Sequence, residues 1–209
     1  MKVEKTSSRI QLDRSEWIDG AIEALAEEGL AGMRVEALAK RFGMTKGSFY
    51  WHFKDRQDLF SAVLQTWKDG RIRDIDKQSS GDPGKECDQL VQIIEVYSTN
   101  RNRKGISIEL AVRDWARRDA QASAIVEEVD TYRLESARKL FVASGLSENE
   151  AKSRSLLLYA YVFGQSLVVY DRYDPKIIDL KRWIAEYIAD GQRSGQSPAL
   201  SGHDAQNPG

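Results

Sequence analysis

Ten residues, "TKGSFYWHFK" from Thr45 to Lys54, hold two lysines, three hydroxyl side chains and one of the chain's two histidines, interleaved with four aromatic rings. Lys46 and Lys54 can neutralise phosphate charge, and Ser48, Tyr50 and His52 can hydrogen-bond to phosphate oxygens. Free backbone N–H groups at a helix start would add to the attraction for an anion. The same residue types could instead build a ligand cage, a histidine-centred catalytic pocket or part of a core.

Helical geometry separates these readings. At ~100° per residue, Phe49 and Phe53 fall one turn apart on one side. Lys46, Gly47, Tyr50, Trp51 and Lys54 gather on the other, with Ser48 and His52 near the boundary. Two aromatics are therefore core anchors and two are displayed beside lysines. A glycine inside a helix costs about 1 kcal/mol relative to alanine, and close approach of another molecule is one physical benefit that offsets it.

Charge follows the same division. From Arg34 to Arg56 six cationic side chains, Arg34, Lys40, Arg41, Lys46, Lys54 and Arg56, face only Glu36 and Asp55, a local balance of +4 in a chain whose net charge is −1. A basic patch on a near-neutral protein concentrates attraction for a polyanion on one face.

The elements that must position this patch are helical. Alanine, leucine, glutamate, lysine and arginine are plentiful, and prolines number 4 in 209 residues. Trp17, Ile18, Ala21, Ile22, Leu25 and Ala26 recur at helical spacing before Gly29. Val35, Leu38, Ala39 and Phe42 give a second, short helix closed by Gly43. Thr45 caps a third helix through Phe53, and Asp55 caps a fourth with buried positions Leu59, Phe60, Val63, Leu64 and Trp67. The segment from Asp76 to Glu86 reads as a loop. Further helices follow: one through "ISIELAVRDWARRD" with a solvated basic end, one over Ser123–Ser144, and one capped by Ser147 that continues to Tyr170. Asp174-Pro175 breaks that run, with the proline placed in the first turn of a last helix. No segment has a useful strand period, so an all-α fold is expected.

Several function classes find no support. Cys87 stands alone, so no intrachain disulfide or thiolate zinc site is expected. His203 lies in a polar tail, and neither a metal-ligand spacing nor a glycine-rich phosphate loop occurs, so no enzyme activity, cofactor or metal is expected. The N-terminus lacks an apolar signal core and no stretch is long enough to span a membrane, so a cytoplasmic location is expected.

A helix, a tight turn at Gly43 and a short helix with a polar N-terminus make a helix-turn-helix arrangement, over about residues 34–53. "GLAGMRVEALAKRFGMTKGSFYWHFKDRQDLF" closely resembles the DNA-binding region of TetR-family transcriptional regulators. The resemblance is carried by Gly29, Val35, Leu38-Ala39, Gly43 and the "GSFYWHFKDRQDL" run, over roughly Arg14 to Trp67. It implies an N-terminal DNA-binding domain at 11–71 and a helical effector-binding and dimerisation domain at 76–195, while the polar composition of 196–209 predicts a disordered tail. It also implies a homodimer on a palindromic double-stranded DNA operator, most often as a ligand-responsive repressor. The alternatives are an activator on the same fold, or a helical small-molecule sensor or carrier that does not bind DNA.

By the same resemblance Lys46, Gly47 and Ser48 meet DNA at base edges, Tyr50, Trp51, His52, Lys54 and Arg56 lie at backbone phosphates, and Thr45 belongs to the same DNA-binding set. Arg34 stands where a phosphate-binding threonine or serine is common, trading a helix cap for a longer, charged reach. In the C-terminal part, Leu157, Tyr161, Gly164, Leu167, Leu180, Ile184 and Tyr187 are expected in the dimer interface. Tyr97, Trp115, Tyr132, Phe163 and Gln165 are candidates to line the pocket of an unidentified small-molecule effector.

Overall fold

The computed structural model describes residues 12–98, 103–170 and 172–190. Within them the chain forms helices and turns only. In order these are α1 (Arg14–Glu28), a 3-10 turn (Gly29–Ala31), α2 (Val35–Arg41), α3 (Lys46–Tyr50), α4 (Arg56–Ser79), α5 (Glu86–Ser98), α6 (Arg103–Ala116), α7 (Ala120–Ala143), α8 (Glu148–Leu167) and α9 (Ile177–Ala189).

Local signals start most of these helices. Asp13 and Glu16 form a reciprocal capping box: Glu16 N–H donates to Asp13 Oδ1 at 2.9 Å, and Asp13 N–H donates to Glu16 Oε2 at 2.7 Å. Asp55 caps α4 through Asp58 N–H at 2.9 Å, Asp119 caps α7 through Ala122 N–H at 2.8 Å, and Ser147 caps α8 through Glu150 N–H. Gly43 takes φ +65° after α2, the left-handed turn that only glycine adopts without strain.

Six helices differ in their bounds from expectation; α6 and α7 each begin three residues earlier. The α4 helix runs through Asp76 to Ser79, shortening the expected loop to 80–85, because Ile75 is buried and Asp76 accepts a hydrogen bond from the Tyr132 hydroxyl of α7. The α3 helix ends at Tyr50, although His52 N–H and Phe53 N–H both still donate to Phe49 O. The α8 helix stops at Leu167, short of Tyr170. Pro175 precedes α9 rather than occupying its first turn; there Asp174 Oδ1 accepts from Lys176 N–H at 2.6 Å. The expected tail at 196–209 and the polar first residues, 1–11, lie outside the described residues.

Two buried clusters organise the chain. The first joins Trp17, Leu38, Phe49, Phe53, Leu59 and Trp67 to Val112 and Trp115 of α6 and Ala122, Val126 and Val129 of α7. The second gathers α5, the end of α7, α8 and α9 around Ile94, Phe141, Leu158 and Ile188. The α6 helix thus packs on α1 and the α7 helix on α4 at one end, and α7 reaches the second cluster at the other. Among the described residues no helix is long and apolar enough to cross a membrane.

Candidate nucleic-acid interface

The recognition candidate is a five-residue helix held from behind. Phe49 and Phe53 are 0% and 1% exposed, stacked at 5.1 Å, and Phe49 meets the edge of Trp17 at 5.7 Å. On the opposite side Tyr50 is 58% and Trp51 81% exposed. An indole left that open forgoes roughly 2 kcal/mol of burial. Thr45, Lys46, Gly47, Lys54 and Arg56 are also exposed, with Ser48 and His52 half-buried at the rim.

Thr45 is the N-cap of α3: Ser48 N–H donates to its Oγ1 at 3.3 Å, and the two hydroxyl oxygens lie 3.1 Å apart. Arg34 occupies the cap position of α2 without capping it, and its Nε donates to Ala31 O at 3.1 Å. The Arg56 guanidinium lies over the Phe60 ring at 4.5 Å. Gly47 has no internal reason to be glycine. An added Cβ would meet only Thr45 Oγ1, at an ordinary 3.6 Å.

Three residues outside the expected DNA-contact set support this face. Arg14, in the first turn of α1, donates to His52 O at 3.2 Å and to Asp58 Oδ1 at 3.0 Å, and lies over the Phe53 ring. Asp58 in turn accepts from Lys54 N–H at 3.0 Å. Glu36 of α2 pairs with Lys46 at 2.6 Å, and that hydrogen bond holds its carboxyl below the usual range. Arg14 and His52 are 38 positions apart and Glu36 and Lys46 are 10, so no local pattern announces those two contacts, whereas Asp58 lies only four residues beyond Lys54.

The five effector-pocket candidates do not converge. Trp115 is buried in the first cluster, edge-on to Phe60 at 4.9 Å, because α6 packs on α1 and α7. Tyr132 is exposed and bonded to Asp76. Tyr97 and Gln165 are buried. Phe163 lies under the Arg113 guanidinium at 4.2 Å. Arg113 therefore belongs to a network rather than to a solvated helix end. It donates to Asp130 Oδ2 at 2.7 Å and to Glu109 Oε1 at 3.1 Å, while Arg133 grips both oxygens of Glu109 at 2.6 and 3.0 Å. Of the five, Tyr97 lines an open cleft of about 650 Å³ between the end of α4 and α5, with Arg71, Lys77, Asp88 and Ile93.

The expected dimer residues lie on or beside an open apolar face. Leu157, Leu167 and Tyr187 are exposed, and Tyr161, Gly164, Leu180 and Ile184 are half-buried. The structure adds Leu156, Val168, Ile178 and Trp183, whose ring stacks on Tyr187 at 5.2 Å. A Cβ on Gly164 would meet nothing within 4 Å.

Known proteins share the helix-turn-helix segment and the helical fold. The profile for bacterial regulatory proteins of the tetR family matches residues 18–63. The HTH-type transcriptional regulator AcrR of Shigella flexneri is 24% identical over 198 residues, 88% of this chain and 90% of that protein. The class D tetracycline repressor protein of Escherichia coli is 36% identical over 53 residues, 25% of this chain and 24% of its own. The crystal structure of a transcriptional regulator from Rhodococcus sp. Rha1 superposes with a TM-score of 0.66 at 20% identity, over 85% of this chain and 96% of the other.

Proposed function

The chain belongs to the tetR family of bacterial regulatory proteins and is a DNA-binding transcriptional regulator, and from that premise we propose how its residues carry the activity. Two copies pair through α8 and α9 and present two α3 helices to successive major grooves of a palindromic operator, about 34–36 Å apart. The observation that carries this reading is the division of one short segment, α3 and the turn after it: Phe49 and Phe53 inside, Tyr50 and Trp51 open beside Lys46 and Lys54.

Lys46, Gly47 and Ser48 approach base edges, and Tyr50, Trp51, His52, Lys54 and Arg56 hold phosphates, with Arg34 reaching from α2. The exposed Leu156, Leu157, Leu167, Val168 and Trp183 support a homodimer, since apolar surface of this extent is rarely left to water on a monomer. The protein acts as a repressor released by a small-molecule effector. The α4 helix is the connection between the two events. Its 24 residues span about 36 Å, with its N-cap beside Lys54 and its other end on the cleft that holds Tyr97. An effector that favours one tilt of α4 would change the separation of the two recognition helices, and shifts DNA affinity by its differential affinity for the two states.

The test is enrichment of bound duplexes from a randomised pool by the purified protein, followed by binding at several salt concentrations. A palindromic site whose log K falls steeply with log salt is expected. Failure to enrich any duplex, or salt-independent binding, overturns the reading.

A further inference from the structure

The basic face contains two acidic residues between positions 34 and 56, both at helix starts, and a carboxylate suits the positive end of a helix dipole in each place. Asp55 caps α4. Glu36 projects from the first turn of α2, well exposed, and its Oε1 lies 2.6 Å from Lys46 Nζ on the first residue of α3. An ion pair so exposed contributes little to folding. On a surface that must approach a polyanion, a carboxylate also opposes binding. Both costs call for a compensating role.

We propose that Glu36 is a specificity-determining residue that reads DNA jointly with Lys46. This rests on the DNA face described above. The pair presents a donor next to an acceptor at the point where α3 begins. In the major groove a G·C pair presents the opposite pattern, guanine O6 and N7 as acceptors and the cytosine N4 amino group as donor. Lys46 donates to the guanine and Glu36 accepts from the cytosine amino group. An A·T pair at that position offers the adenine amino group and the thymine O4 in an exchanged arrangement, so one member of the pair is left facing a like group. On non-specific DNA the carboxylate keeps Lys46 Nζ occupied and repels phosphates, which lowers background binding.

The experiment uses the full chain, one duplex enriched by the wild-type protein from a randomised pool, and a shuffled duplex of the same composition. Every base pair of one half-site is replaced in turn, and binding is measured for wild type, Glu36→Gln, Lys46→Ala and the double variant. Replacing one G·C pair should cost wild type about tenfold in affinity and should cost each variant much less. Glu36→Gln should bind the shuffled duplex more tightly than wild type, with a salt slope steeper by about 0.9, one further phosphate contact.

The proposal is overturned if Glu36→Gln keeps the full base preference, or if it weakens both duplexes equally with a lowered melting temperature, as a purely structural role at the start of α2 would require. Base-pair effects of the two single variants that add in the double variant also overturn it. If the wild-type protein enriches no duplex, the DNA face itself fails. A salt-sensitive wild type with an unresponsive Glu36→Gln defeats this inference alone.

Discussion

Arg14 and His52 are 38 residues apart, yet the Arg14 Nε donates to the His52 carbonyl oxygen at 3.2 Å. With its second contact to Asp58 and its place over Phe53, this one guanidinium joins the start of α1, the end of the recognition segment and the start of α4. A planar fork is what three such contacts require, and an ammonium group cannot reproduce them.

Arg14→Lys is therefore expected to keep the helical fold and weaken operator binding by about tenfold, roughly 1.4 kcal/mol, because His52 and Lys54 lose their common support. Circular dichroism alongside a binding titration checks this. Unchanged affinity would show that the contact does not position the DNA face.

Gly47→Ala should separate stability from function. Within the chain the new methyl meets no clash, so the fold should gain up to about 1 kcal/mol. Operator affinity should fall at the same time, since the surface that approaches DNA is now thicker. A variant that is both more stable and equally tight would remove Gly47 from the interface.

The cap of α1 carries a pH dependence. The Ser15 hydroxyl and the Glu16 N–H hold the Asp13 carboxyl below its ordinary value. A depressed carboxylate contributes stability that is complete above its unfolded value and is lost as pH falls through its folded value. Asp13→Ala should thus melt earlier than wild type at neutral pH, with the gap closing below the usual carboxylate range. A gap that persists in acid would assign the effect to packing.

Removing one partner of the buried Glu109–Arg133 pair should be severe. Both side chains are 1% exposed, and Arg133 stays charged because Glu109 offsets its burial. Glu109→Gln should cost about 3–5 kcal/mol, read by chemical denaturation. A loss below 1 kcal/mol would mean that Asp130 alone sustains the arginine pair.

Leu157→Glu combined with Trp183→Glu should turn a dimer into a monomer in analytical ultracentrifugation, with operator binding lost and helical content retained. A dimer that survives both changes would move the interface off α8 and α9.

Much of this was legible in local chemistry, and the rest was not for identifiable reasons. Thr45, Asp55 and Ser147 announce helix starts because a cap needs only its own next three residues. Phe49 and Phe53 announce an inner face because one turn separates them. The length of α4 was hidden, since "DKQSS" is polar and its helical state depends on Ile75 being buried and on a tyrosine of α7. Trp115 and Tyr132 were grouped with Tyr97 on residue type alone. Which wall an aromatic faces is decided by helix packing, and the pairing of Arg113 with Asp130 and of Arg133 with Glu109 has the same origin.

The five tryptophans divide in a way that gives the protein its own optical readout. Trp17, Trp67 and Trp115 are sealed in the first cluster, while Trp51 stands on the proposed DNA face and Trp183 on the apolar side of α9. Two single-tryptophan replacements, Trp51→Phe and Trp183→Phe, would leave emission that reports occupancy of one surface at a time. Blue shift or quenching of Trp51 would follow DNA and that of Trp183 would follow association, so the order of the two events becomes measurable without any added label.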